Sequence, residues 1–119
     1  MKDIIDCPAE RAVYFIGGKW KIRILFNLSS KKKVRFGELK RNLKTVTQQM
    51  LSKQLKELEQ DGIVNRKLHQ AVPPKVEYSL TEFGNSLIPI LRSFSDWNKR
   101  NSRTISFKLN KNFVEDRIR

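Results

Sequence analysis

Apolar positions recur with a helical period along most of the chain and alternate in one region. Pro8 can open a first helix, because a proline in the first turn loses no helical hydrogen bond. Ala12, Val13, Phe15 and Ile16 carry that helix to residue 16, where Gly17-Gly18 stops it. Trp20, Ile24, Leu25 and Leu28 then mark a second helix over 19–28. Lys31 to Arg35 reads as a turn and a very short strand. Phe36, Leu39 and Leu43 define a third helix, 36–43, followed by a turn at Lys44-Thr45-Val46.

The fourth helix, 47–61, is capped by Thr47, or alternatively by Thr45 with Gln48 as a capping box, and ends at Asp61-Gly62. Its expected buried stripe is Met50, Leu51, Leu55 and Leu58. Alternation then predicts a hairpin, 64–69 and 76–80, with Pro73-Pro74 at its tip. A last helix, 82–102, carries Phe83, Leu87, Ile90, Leu91, Phe94 and Trp97 on one stripe, and Pro89 should kink it. Residues 1–102 read as one domain and 103–119 as a basic tail, either a short extra helix or disordered.

The order of elements is mainly helical with a small β wing. The third and fourth helices make a helix-turn-helix, and the hairpin after them a wing. In that geometry the second of the two helices enters the DNA major groove with its N-terminal residues on base edges. The candidate contacts are Thr47, Gln48, Gln49, Ser52, Lys53 and Lys56 on the helix, with Lys67 and Lys75 on the wing. A glutamine can pair bidentately with adenine, whereas the lysines suit phosphates.

Charge supports a polyanionic partner: 25 Lys and Arg stand against 12 Asp and Glu, a net +13. The excess falls between Lys31 and Lys75 and again after Lys99, while Thr81 to Asn98 is nearly neutral. A binding face separate from a packing face follows. The last helix carries more large apolar residues than a chain of this size readily hides. Leu91, Phe94 and Trp97, with Val13, Phe15 and Ile16 of the first helix, are the candidate homodimer interface.

Other classes fare worse. No run of apolar residues is long enough to span a membrane, and the N-terminus, with acids among its apolar residues, does not read as a signal peptide. Gly17-Gly18-Lys19 lacks the spacing of a P-loop. The single His69 sits on the wing and no paired carboxylates converge, which argues against an enzyme. An RNA-binding module would want an exposed aromatic platform. No metal or cofactor is implied. One cysteine, Cys7, excludes an internal disulfide and points to a reducing cytoplasm.

The runs Cys7-Pro8, Ile16-Gly17-Gly18-Lys19-Trp20, Arg35-Phe36-Gly37-Glu38-Leu39, Met50 to Glu59, Asp61-Gly62-Ile63-Val64 and Val72 to Gly84 resemble the HxlR family of bacterial winged-helix regulators, relatives of the MarR group. The resemblance spans about residues 7–98, with His69 near where an aromatic is usual. It implies a homodimer paired through the first and last helices and bound to inverted repeats near promoters. It also makes Cys7 a candidate redox sensor, since a cysteine at this place senses thiol oxidants in several relatives; the alternative is a packing cysteine without regulatory chemistry. Cations and solvent access make a thiol reactive. Arg11 and Lys2 would help here, and Asp6 and Glu10 oppose. Oxidation of a lone cysteine gives an intersubunit disulfide, a mixed disulfide or an adduct. An oxidant or a small molecule is thus a candidate effector.

Overall fold

The computed structural model describes residues 7–111. The chain runs through α1 (Pro8–Tyr14), α2 (Lys21–Ser29), β1 (Val34–Arg35), α3 (Phe36–Leu43), α4 (Gln48–Gln60), β2 (Val64–His69), β3 (Lys75–Leu80), α5 (Glu82–Arg100) and α6 (Ser102–Lys111). The expected winged helix-turn-helix is present, with differences at the ends of elements. α1 stops at Tyr14 because Phe15 and Ile16 bond back to Ala12 and Val13 in a tightened last turn. α2 begins at Lys21, after Trp20 as its N-cap. The last helical stretch is broken at Asn101, and α6 follows it. α5 runs through Pro89 as one helix. Residues 112–119 of the expected tail lie outside the described residues.

The sheet is antiparallel in the order β1-β3-β2. Val34 pairs with Tyr78 and Arg35 with Glu77, so the very short strand becomes the third member of the wing. The core lies between α2, α3, α4, the inner face of the sheet and one side of α5. It contains Ile24, Leu25, Leu28, Val34, Leu39, Leu51, Leu55, Leu58, Ile63, Val64, Tyr78 and Leu91. Thr81 fixes the junction of wing and α5. Its hydroxyl donates to the carbonyl of Gly62 at 2.6 Å and accepts from the N–H of Gly84 at 2.9 Å.

Two apolar stripes read from the sequence are only partly buried within the chain. On α5 the buried residues are Gly84, Ile88 and Leu91. Phe83, Ile90, Phe94 and Trp97 of the anticipated stripe are exposed. Met50, one turn from Thr47, is also exposed. The helix turns its buried side at Leu51, Leu55 and Leu58, and Met50 lies at the edge of that side, about 100° from Leu51 around the axis.

Candidate nucleic-acid interface

α4 starts where Thr47 caps it. The Thr47 hydroxyl oxygen accepts from the Met50 N–H at 3.1 Å, which satisfies one of the free donors of the first turn. Of the two caps allowed by the sequence, this is the one formed. Leu51, Leu55 and Leu58 hold the helix to the core. Gln49, Lys53 and Lys56, at i, i+4 and i+7, therefore project from the opposite side and are exposed. Gln48 and Ser52 are exposed on the flank of that row.

The turn before α4 is tight. Lys44 has φ 60° and ψ −69°, and the Thr45 N–H donates to the Leu43 carbonyl at 2.7 Å. This is a γ-turn of the strained, positive-φ kind. Val46, buried beside it, pins the turn to the core.

The wing carries its charge outward. Lys67 faces Glu77 across the hairpin and Lys75 pairs with His69. Strand alternation sets Lys67, Lys75, Glu77 and Arg35 on the face opposite buried Tyr78. The wing stem is tied by His69 Nε2 and Glu77 Oε1, 2.6 Å apart. Burial pushes the Glu77 carboxyl up, but the hydrogen bond to His69 and the charges of His69, Lys75 and Lys33 outweigh it and lower its pKa. Glu38, at the third position of α3, is engaged by the Lys31 ammonium and held below the usual carboxylate range chiefly by that hydrogen bond. Glu57 on α4 is paired with Lys21 of α2 at 2.8 Å. Three acids near the basic surface are thus each matched by a neighbour.

The eight candidate DNA contacts fall on two elements, α4 with its cap and the wing. The expected dimer residues divide. Val13, Phe94 and Trp97 are exposed, at 51%, 52% and 57%. Ile16 and Leu91 are buried in the chain's own core. Phe15 is half-buried and meets Phe83 edge-on at 5.6 Å, which joins α1 to α5. Cys7 is exposed at the N-cap of α1, with its carbonyl accepting from the Arg11 N–H at 3.1 Å. Lys2 and Asp6, expected to act on it, lie outside the described residues. Arg35 and Arg41 stand beside this surface as well, and their signal in the sequence is a cation just before and within the first helix of the helix-turn-helix.

The profile described as HxlR-like helix-turn-helix matches residues 15–106. The chain belongs to the HxlR family. It is 48% identical over 101 residues to the HTH-type transcriptional regulator BH0655 of Halalkalibacterium halodurans, covering 85% of this chain and 89% of that one. It is similar to the redox regulator HypR in its reduced form, with a TM-score of 0.79 and 45% identity over 84% of this chain and 98% of HypR. A MarR-family regulator from Enterococcus faecalis matches with a TM-score of 0.76 and 34% identity, over 89% of this chain and 96% of that one. This HxlR-family chain is an HTH-type transcriptional regulator, and DNA is its partner. Regulation and not catalysis is the family's work. Among the described residues no helix is long and apolar enough to cross a membrane, and no group of three potential metal ligands occurs.

Proposed function

We propose that the chain binds an inverted-repeat operator as a homodimer and reads its sequence through α4. The observation that carries this is the capped α4 with Gln49, Lys53 and Lys56 aligned outward, followed by a wing with Lys67 and Lys75 on one face. Glutamines near the start of the helix suit base edges, and the lysines beyond them suit phosphates. Gln48, Ser52 and Thr47 extend the contact along the flank.

The dimer rests on what the fold leaves uncovered. Val13 and Tyr14 on α1, and Ile90, Phe94 and Trp97 on α5, are all about half exposed. An open groove of about 560 Å³ runs along α1, lined by Ala9, Glu10, Val13, Tyr14 and Gly17. A twofold pairing through these helices buries the apolar side chains and matches a palindromic site. The test is selection from a random duplex pool together with sedimentation. Enrichment of inverted repeats by a dimeric protein is the expected result. Enrichment of single half-sites by a monomer contradicts it.

The switch we assign to Cys7. Its thiol is exposed and begins the helix proposed to pair the subunits, and the chain resembles a protein described as a redox regulator. With one cysteine, the product is an intersubunit disulfide, a mixed disulfide or an adduct. Diamide should weaken operator binding at least about tenfold, equivalent to 1.4 kcal/mol. Cys7→Ser should bind normally and ignore diamide. A serine variant that still responds removes Cys7 from the mechanism.

A further inference from the structure

Between the start of α3 and the tip of the wing lies an open cleft of about 430 Å³, lined by Arg35, Phe36, Gly37, Glu38, Arg41, Pro74, Lys75 and Val76. Three cations reach it from three different elements. Arg35 ends β1, Arg41 lies on α3, and Lys75 begins β3. None of the three forms an ion pair within 4.0 Å among the described residues. The one acid in the lining is Glu38, and it is already committed. The Lys31 ammonium engages it, and its carboxyl also feels the more distant charge of Arg41 and a backbone hydrogen bond at Arg35. The guanidinium of Arg41 lies across Gly37, with Nη1 3.6 Å from where a Cβ would stand. The cleft is therefore strongly positive on one side. On the other, Phe36, Pro74 and Val76 supply an apolar wall.

We propose that this cleft clamps one backbone phosphodiester of bound duplex DNA in each half-site, with Arg35, Arg41 and Lys75 on the phosphate oxygens and the apolar wall against the adjoining deoxyribose. The clamp rests on the DNA-binding reading above and adds a site to it. Two features favour a phosphodiester over a free phosphate. The apolar wall has no use for inorganic phosphate but suits a sugar. The elements forming the cleft are also those whose place is the DNA backbone: the first helix of a helix-turn-helix crosses it, and the wing lies beside it. Arginine forks match phosphate geometry, whereas Lys75 acts as a point charge.

The test combines a changed DNA with changed proteins. Neutral methylphosphonates are placed one at a time along the selected duplex, and binding is measured for the wild type, Arg35→Gln, Arg41→Gln and Lys75→Gln. One position per half-site should weaken wild-type binding severalfold and have no further effect on the Arg41→Gln protein. The variants should also show a salt slope shallower by about 0.9 for each phosphate released. Altering the DNA keeps the test independent of how the variants fold. Wild-type slope and wild-type methylphosphonate profile in all three variants would overturn the clamp while leaving the DNA reading intact. A wild type whose duplex binding ignores salt would overturn both. Saturable binding of inorganic phosphate that Arg41→Gln removes, with an unchanged DNA slope, would assign the cleft to a free anion and likewise overturn the clamp.

Discussion

Lys21 Nζ of α2 lies 2.8 Å from Glu57 Oε1 of α4, and Lys21 is the buried charged residue of the core region. Lys21 occupies the same helical stripe as Ile24, Leu25 and Leu28, so it ties the recognition helix to the helix beneath it. The hydrogen bond from Lys21, helped by the charges of Lys21 and Lys53, holds the Glu57 carboxyl below its ordinary value of 4.5 against the opposing effect of burial. A lowered folded-state pKa means that the unfolded chain binds the proton more readily. The stabilisation is then full above pH 4.5 and is lost as pH falls through the lower folded value.

Glu57→Ala leaves the Lys21 ammonium buried without its acceptor. A charged hydrogen bond of this kind is worth about 1.5–3 kcal/mol, and the partial exposure of Glu57 brings the expected loss toward the lower figure. Urea unfolding at neutral pH should show that loss. The difference between wild type and variant should shrink when the same measurement is made well below pH 4.5. A difference independent of pH would remove the ion pair as its cause.

Gly84 of α5 meets the backbone of Ile63 in the link between α4 and β2. A Cβ there would overlap the Ile63 carbonyl oxygen and stand 3.1 Å from its carbonyl carbon. Gly84→Ala should cost about 1–3 kcal/mol through overpacking. Gly37, also helical, has only the mobile Arg41 guanidinium nearby, at 3.6 Å. Gly37→Ala should instead gain about 0.5–1 kcal/mol from helix propensity. Thermal melts of the two variants should therefore move in opposite directions, and a shift in the same direction contradicts the packing at Ile63.

On α4, Gln49→Ala and Lys53→Ala should separate specificity from affinity. The glutamine change should lose discrimination at one or two base pairs, on the order of 1–3 kcal/mol. The lysine change should weaken all duplexes alike and flatten the salt slope. Competition between the selected duplex and single-base variants reads both effects. If the two substitutions behave the same way, the outward register of α4 is not the one that faces the bases.

Much of the architecture was legible because local signals agreed. Phe36, Leu39 and Leu43 bound α3 at the residues observed, and Thr47 announced α4. The hairpin showed in the alternation around Tyr78, and only Lys75 had to be added to it. What failed to show was which apolar residues serve the chain and which serve its outside. α5 has apolar side chains on more than one face, and periodicity alone does not rank them. Gly84 signals the packed side by lacking a side chain, so the stripe drawn through Phe83, Phe94 and Trp97 missed it. Leu91 was read as interface because it stands beside Phe94 in that stripe, yet it is only 1% exposed. Lys21 hid for the opposite reason, a charge standing in an apolar register. The cleft of Arg35, Arg41 and Lys75 depends on β1 pairing with β3, a contact between residues far apart in sequence.

Phe94 and Trp97 test the dimer without touching the core. Phe94→Asp or Trp97→Asp should give a folded monomer with operator affinity reduced by orders of magnitude, whereas Leu91→Asp should unfold the chain itself. Sedimentation and circular dichroism on the three variants make the distinction. A dimer that survives both exposed substitutions rules out the pairing through α5.

Fixed contacts between this surface and DNA phosphates are measured directly by the salt dependence of wild-type binding to the selected inverted repeat. If the two subunits together contact ~6–10 phosphates, affinity should fall by about three to five decades between about 50 and 200 mM salt, linearly in the logarithm of salt concentration. An affinity that stays flat over that range would rule out binding through those phosphate contacts.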